Sequence, residues 1–319
     1  MSTPAPPEPA PTTVAPPSTS RRRRPVRDAL LHTLYGRIGL VLLGLLSIVS
    51  AFGPLLAPHG TNSAVGDPFE APSGRFPLGL DDGGVDMLSQ LIAGARVSLI
   101  VGLTAAAVAV LIGGAVGMIA GYVGGRTEGV LMRITDYFLT LPDVPLMIVA
   151  AALFGRNLIN VVVIIAAIYW TSTARMVRAE VKSLRERPHI QRVRSLGAGH
   201  GRILRHHILP GIAPLLAANV VLMISTAIFA ESYVSFLGLG DPNAITWGGL
   251  IEAASASSAV LRGAWWAIVP PGLCITLAVV ACSMVGQTIE DALNPRLGAG
   301  HLSVRTFGVL PLARFKEKR

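Results

Sequence analysis

The sequence predicts an all-α integral membrane protein with six transmembrane helices, and three observations support that fold class. Of its 319 residues, 51% are hydrophobic and only 14% are charged, whereas soluble domains carry roughly 25% charged residues. The hydrophobic residues fall in long runs between successive charges. Basic stretches alternate along the chain with acidic ones. Together these features exclude a soluble globular domain.

Six charge-poor intervals are long enough to be spans, since a helix needs about 20 apolar residues to cross the hydrocarbon core. The first interval exceeds the roughly 7–15 apolar residues of a signal peptide, and no clear cleavage site follows it. We therefore interpret it as an uncleaved helix. The intervals cover residues 38–58, 97–125, 137–155, 157–174, 206–230 and 263–289.

Charge orients these spans, because cytoplasmic segments of membrane proteins carry an excess of Lys and Arg. Six Arg and two acids precede span one, and nine Lys or Arg stand against two acids in residues 175–207. Residues 59–95 carry five acids against one Arg. The sequence thus predicts an extracytoplasmic loop at 59–95, a cytoplasmic loop at 175–207 and both termini in the cytoplasm.

The two ends of the chain differ in composition from the predicted membrane domain, residues 35–297. Residues 1–34 are Pro-rich and then basic, a composition typical of disorder because it cannot bury enough apolar surface to fold. Residues 298–319 form a second basic tail. We expect both tails to lie in the cytoplasm.

The cytoplasmic loop contains a short amphipathic pattern. Helix-forming residues continue past Arg175 until Pro188, which suits a helix start. Ile190, Val193 and Leu196 then recur every three residues, which predicts one apolar stripe on a helix over 189–197. The glycines of "GAGHG" end it. A cytosolic protein is the expected partner of this helix. DNA is disfavoured, since no recognition fold or interleaved aromatic residues are present.

Glycines recur every four residues in span two, a small-residue spacing that lets helices pack closely, here against span five or a partner subunit. They are Gly113, Gly117, Gly121 and Gly125. Asp143 in "LTLPDVPL" has two interpretations. An acid inside a membrane is by default a functional hypothesis. Alternatively, it is a solvated residue near the cytoplasmic end of span three.

Neither a metal site nor a catalytic site is expected. The loop histidines lack ligand spacing, the acids Asp81, Asp82 and Asp86 are interpreted as solvated, and Cys274 and Cys282 as small core residues. The loop histidines are His189, His200, His206 and His207. Nucleotide-binding and hydrolase motifs are missing from the sequence, so we expect no cofactor in this chain and no enzymatic activity.

Three segments resemble one transporter family. "FPLGLDDGGVDMLSQLIAGARVSLIVG" (76–102) is similar to the signature of the dipeptide/oligopeptide/nickel permeases of ATP-binding cassette (ABC) importers, as are "ESYVSFLGLGDPNAITWGGL" (231–250) and "DALNPRL" (291–297). The matching positions in the first segment include Pro77, Leu78, Gly79, Asp81, Asp86 and Arg96.

The cytoplasmic loop is similar to the EAA loop of the same importers. Gly197 and the pair Leu209-Pro210 stand at the family spacing, but Gln191-Arg192-Val193 replaces Glu-Ala-Ala. The similarity covers residues 35–297. It identifies the chain as the permease of the pair with the long loop after span one.

The resemblance implies a type I importer permease fold that forms half of a path for short peptides in the bacterial cytoplasmic membrane. The partners would be a homologous second permease, one or two cytosolic ATPases that bind ATP and Mg²⁺, an extracytoplasmic substrate-binding lipoprotein and membrane lipid. The ATPases would contact Ile190, Gln191, Arg192, Val193, Arg194, Leu196, Gly197, Leu209 and Pro210.

Three alternatives remain open. The first is a permease of the same family for nickel or another small solute. The second is an autonomous secondary transporter, which needs ionisable residues at mid-membrane in several spans, where Asp143 is the one candidate. The third is a membrane-embedded transferase or hydrolase, which needs a catalytic motif beside the acids at 81–86.

Overall fold

The computed structural model describes residues 26–61 and 63–293, and the described chain is almost entirely helical. Across these residues no β-strand forms, and the β-type contact is a single bridge between Leu80 and Asp86. The helices are α1 (Val26–His32), α2 (Leu34–Leu56), α3 (Met87–Val123), α4 (Gly125–Thr140), α5 (Asp143–Phe154), α6 (Leu158–Arg185), α7 (Pro188–Ser195), α8 (His200–Ile203), a π-helical turn (Leu204–Ile208), α9 (Leu209–Phe236), α10 (Trp247–Ala256), a 3₁₀ turn (Trp265–Ala267) and α11 (Val269–Leu293).

The predicted fold class is confirmed. Five helical segments of the described chain are long and apolar enough to cross a membrane, and a sixth span results if the bent pair α4–α5 counts as one. The long segments are Leu34–Gly53, Met87–Val123, Leu158–Arg185, His200–Phe236 and Trp265–Leu293.

The third span, predicted over 137–155, is broken into two helices. α4 and α5 meet at a bend of 91°. Leu141 there has an extended backbone, with ψ 133°, and Pro142 follows it. Proline lacks an N–H and disfavours the helical conformation of the residue before it, which explains the break. α5 is consequently only 12 residues long.

Two span boundaries also differ from their expected positions. α3 begins at Met87 rather than at 97, because the Asp86 carboxylate caps the helix by accepting from the Ser89 N–H. The loop predicted at 59–95 therefore ends at Asp86. α9 continues past Glu231 to Phe236, and the Glu231 side chain is buried. An ionisable residue is thus an unsafe boundary marker when the helix around it is packed.

The chain is helical earlier than expected, since α1 lies inside the segment 1–34 that was predicted to be disordered. Thr33 joins α1 to α2: its hydroxyl donates to the Ala29 carbonyl (2.8 Å) and accepts from the Gly36 N–H (3.1 Å). Residues 1–25 and the predicted tail 298–319 lie outside the described residues.

The glycines of α3 contact α6, not span five as expected. A Cβ at Gly113 or Gly117 would overlap the backbone carbonyl of Trp170 or Ala174, and at Gly121 it would lie 2.8 Å from the Arg178 carbonyl. The bare backbone of α3 therefore lies directly against backbone carbonyls and Cβ atoms of α6 along this interface. The same helix meets α9 through other glycines, Gly102 against Ile228 and Gly114 against Leu216.

Gly125 does not belong to this series. It is exposed, has φ 58° and would leave open space around a Cβ. It starts α4, so its role is in the turn between α3 and α4 rather than in helix packing.

Candidate functional site

α7 is set at an angle to its neighbours by glycine and proline. α6 continues to Arg185 as its composition predicts, and Pro188 occupies the first turn of α7. At the other end, Gly197 has φ 81°, and its N–H donates to the Arg194 carbonyl (3.0 Å). A left-handed residue after the last turn is a common helix stop that favours glycine. The result is a two-turn helix between two long spans.

One side of α7 is fixed to the membrane domain. The Ile190 side chain is 2% exposed and joins an apolar cluster, against which Val193 packs half-buried. The cluster draws residues from α6, from α8, from the π-helical turn and from α9: Val177, Val181, Leu184, Ile203, Ile208 and Ile212. Burying an isoleucine stabilises a fold by roughly 1.5–3 kcal/mol. α7 is therefore anchored to both spans through its apolar side.

Leu196 departs from the predicted stripe. Its side chain is 87% exposed, because the helix ends at Ser195 and Leu196 adopts a backbone outside the helical region. A stripe extrapolated from sequence assumes that the helix continues. Here the helix ends at Ser195, one residue before Leu196, so the Leu196 side chain does not lie on the buried side of α7.

The outer side of α7 is open. Pro188, Gln191, Arg192, Ser195 and Leu196 line one shallow depression on the surface. Arg194 is also exposed. In the described part of the chain, no carboxylate forms an ion pair with Arg192 or Arg194. This surface combines unpaired positive charge with one exposed leucine, a combination that suits a protein partner.

Leu209 and Pro210 stand apart from that depression. Both are exposed and begin α9, immediately after the π-helical turn in which the Leu209 N–H donates to the Leu204 carbonyl. Pro210 has no N–H to donate, so it suits the first turn of a helix. The structure therefore assigns this pair to the return into the membrane rather than to the outer face of α7.

The acidic family motif closes the α2–α3 loop, residues 57–86. Asp81 accepts backbone N–H groups of Gly83 (2.9 Å) and Val85 (2.8 Å), and its other oxygen contacts the Gln90 amide. Asp86 accepts from the Ser89 hydroxyl (2.6 Å) and lies 3.3 Å from His59 Nδ1. Both acids are thus engaged in shaping the loop.

The remaining motif residues have varied surroundings. Gly79 has φ 64°, and a Cβ there would lie 2.6 Å from the Glu70 carbonyl and 2.8 Å from the Trp266 indole nitrogen. Leu78 is half-buried, whereas Pro77, Asp82 and Arg96 are exposed, Arg96 on α3. Within the described residues, no three His, Cys, Asp or Glu side chains are grouped as a metal-ligand set.

Sequence reasoning missed the role of α10. Trp247 is completely buried, its indole N–H donates to the Leu91 carbonyl (3.0 Å) and its backbone N–H to the Ser98 hydroxyl (3.2 Å). Glu231 is buried beside it on α9 and accepts from the Ser235 hydroxyl (2.8 Å). The Trp-Gly pair in the second family segment (231–250) was the available signal. It contained no indication that α10 packs against α3.

A row of charged residues follows the junction of α4 and α5 with α6. Glu128 pairs with Arg178 and with Lys182 (2.9 Å), and Asp136 pairs with Arg175 (2.8 Å). Further along, Asp143 accepts from the Tyr169 hydroxyl (3.2 Å). Phe138 of α4 also packs edge to face on Trp170 of α6. This junction therefore combines ion pairs with an aromatic contact, in contrast to the face of α6 that packs against the α3 glycines.

Comparison with known proteins is consistent with this geometry. Residues 113–299 match the family described as "Binding-protein-dependent transport system inner membrane component". A dipeptide transport system permease protein of Bacillus subtilis (strain 168) is 33% identical over 261 residues, 81% of each chain. A di/tripeptide transport system permease protein of Pseudomonas aeruginosa is 34% identical over 267 residues, 81% of this chain and 87% of its own. A putative peptide permease protein of Brucella ovis is 35% identical over 260 residues, 81% and 86% respectively.

Proposed function

Because this chain belongs to the family of inner membrane components of binding-protein-dependent transport systems, we propose that it is the permease subunit of an ATP-driven importer of short peptides. The substrate class is supported by the relatives, whose names specify dipeptides, di- and tripeptides or peptides. The chain would form half of the translocation path.

The arrangement of α7 is the observation that carries this proposal. Its inner side is fixed by Ile190 between α6 and α9, and its outer side is exposed and unpaired. A cytosolic ATPase that grips the outer side would move α6 and α9 together. Since α6 lies backbone to backbone on α3, that movement would reach α3 as well. α3, α6 and α9 would then move as one rigid body. In alternating access, a rigid body of this kind rocks against the other half of the transporter.

ATP and Mg²⁺ would be bound by the partner ATPases. This sequence has no Gly-rich phosphate loop, so the permease itself would contribute no catalytic residue. Gln191 stands in place of the usual acid on α7, and Arg192 adds a positive charge beside it. An unpaired guanidinium on a docking surface favours a partner groove that carries negative charge. Opposite charges attract across an interface, whereas like charges placed opposite each other are costly. We propose that the cognate ATPase provides a carboxylate there.

The orientation follows from the charge pattern. α7 and both termini would face the cytoplasm, and the α2–α3 loop with α10 would face outward, where a substrate-binding lipoprotein delivers the peptide. The exposed apolar residues of the spans would contact lipid and the second permease.

Purification of the intact complex tests the proposal. A tag at Arg319, mild solubilisation and mass spectrometry would identify the stoichiometric partners. A second six-span permease together with one or two ATPases is the expected result. If the chain were recovered alone or only with itself, α7 would not be a docking helix and an autonomous transporter would become the better explanation.

A further inference from the structure

Asp143 and Tyr169 lie at the same height on the helix pair α5–α6, which bears on the two interpretations of Asp143 given above. α5 and α6 are antiparallel neighbours joined by residues 155–157. Asp143 is 11 residues from the end of α5, and Tyr169 is 11 residues from the start of α6. At 1.5 Å per residue, both lie about 16 Å along their helices from the turn, a distance close to half of a hydrocarbon core about 30 Å thick. Their 3.2 Å hydrogen bond agrees with that common depth.

The charge of Asp143 is not neutralised within the described chain. The two other acids of this face, Glu128 and Asp136, each pair with a basic residue of α6. Across residues 26–61 and 63–293, Asp143 forms no ion pair; its oxygens accept from the Tyr169 hydroxyl and the Val144 N–H. The first turn of α5 favours a negative charge at this position, because the N-terminal end of a helix carries partial positive charge.

Lipid cannot be the environment of this carboxylate. The side chain is exposed, and a charged residue facing the bilayer centre costs about 2.5–3.5 kcal/mol on insertion scales. Such residues face a water-filled cavity or another protein. The polar side chains of Ser172 and Thr140, both exposed on the same junction, extend the hydrophilic surface. In the proposed importer this face would border the path between the two permeases.

We propose that Asp143 and Tyr169 form a cation-binding station in the path, which takes the α-ammonium group of the transported peptide. The inference rests on the proposed function and names the group recognised within it. An ammonium group donates up to three hydrogen bonds, and a free carboxylate oxygen and a phenol oxygen are suitable acceptors. A single carboxylate holds such a group weakly, and weak binding suits a site that must also release it.

Charge-conserving and charge-removing variants test the station in the complete transporter. Asp143→Asn keeps an acceptor for Tyr169 but removes the charge, so a merely structural role would tolerate it. Uptake of labelled Ala-Ala should fall about tenfold, the value of one charge-assisted hydrogen bond. Asp143→Glu should retain most uptake. The matched control is Asp136→Asn, which removes an acid that is already paired with Arg175 on the same face.

Two further readouts separate the possible failures. N-acetyl-Ala-Ala lacks the ammonium group, so at a concentration that gives measurable uptake its transport should not fall in the Asp143→Asn variant. An equal loss for both peptides, or wild-type uptake of Ala-Ala, would overturn the station. Loss of the second permease from the purified Asp143→Asn complex would also overturn it, since Asp143 would then pair with a cation of that subunit. Failure of the wild-type complex to import Ala-Ala would instead count against the proposed peptide substrate.

Discussion

The α2–α3 loop and the α6–α9 loop, residues 186–208, differ in where their side chains find partners. The α2–α3 loop buries Phe76 and Leu80, and the Leu80 carbonyl accepts from the Trp266 indole (3.0 Å). The α6–α9 loop buries Ile190 on one side and leaves Arg192 and Leu196 exposed on the other. The first loop is held by contacts with the rest of the described chain, whereas the second leaves one side of a helix without such contacts.

A pair of glycines shows the same difference at the level of the backbone. Gly84 and Gly197 both have positive φ, 72° and 81°. A Cβ at Gly84 would overlap the Gly66 carbonyl, but nothing lies within 4 Å of a Cβ at Gly197. Glycine is therefore required at 84 by conformation and by packing, and at 197 by conformation alone. Mutations in the first loop should affect stability, and mutations in the second should affect coupling.

The largest effect on stability is expected for Gly84→Val. Backbone strain and overpacking each cost about 1–3 kcal/mol, so we expect the free energy of unfolding to fall by about 4 kcal/mol. Thermal melting of the detergent-solubilised protein measures this effect. Gly74→Val is the control, because Gly74 lies in the same loop with open space around it and no positive φ. Equal melting temperatures for the two variants would contradict the closed packing of this loop.

Trp266→Phe should have an intermediate effect. It removes the indole donor and leaves the Leu80 carbonyl without that partner, at a cost of about 1–3 kcal/mol. Each kcal/mol lowers the melting temperature of a domain this large by roughly 2–4 °C. The neighbouring Trp265 has an exposed ring, so Trp265→Phe should melt like the wild type. The hydrogen bond would be unimportant if both variants behaved alike.

Gly197→Val should reduce stability little but should uncouple transport. A left-handed backbone costs a β-branched residue about 1–2 kcal/mol, and no neighbour is displaced. The end of α7 would have to adjust, so we expect uptake to be lost while membrane insertion is retained. Gly199→Val is the control, since φ at Gly199 is −64° and its surroundings are open. Normal uptake by the Gly197→Val transporter would remove α7 from the coupling route.

The smallest effect on stability is expected for Leu196→Asp, within about 0.5 kcal/mol, because the side chain is exposed. Its effect on assembly should be large, since a charge replaces the one exposed apolar residue of the outer face of α7. The amount of ATPase that co-purifies measures this. Leu261→Asp, on a similarly exposed leucine between α10 and α11, should leave the ATPase bound. Comparable ATPase yields from both variants would show that α7 is not the contact.

Most of the fold could be predicted from the sequence, because charge spacing and apolar length are direct consequences of the bilayer. The break at Pro142 could not, since prolines are tolerated in membrane helices when neighbouring groups satisfy the freed backbone. The start of α3 was obscured by Arg96, an exposed charge on a helix whose other sides are packed. In both cases a local signal, Pro142 or the Asp86 cap, set the boundary, and charge spacing alone did not reveal it.

The candidate site was predictable in outline only. Pro188, the apolar spacing and Gly197 sufficed to predict α7 as a short helix. The exposure of Leu196 depended on the residue at which that helix ends. The neighbour of the α3 glycines depended on topology, and the contact between Asp143 and Tyr169 depended on how α5 packs against α6. None of these is a property of a local sequence pattern.

Cross-linking from α7 tests the central claim most directly. Ser195→Cys places a thiol on the outer face, and a photoactivatable thiol-reactive label there can capture whatever protein lies against it. Cys274 and Cys282 lie in α11, at a distance along the chain from this position. Gly74→Cys provides the matched thiol on the exposed α2–α3 loop. We expect an ATPase adduct from position 195 and none from position 74. Absence of an ATPase adduct at 195, or equal yields from both positions, would contradict the assignment of α7 as the coupling helix.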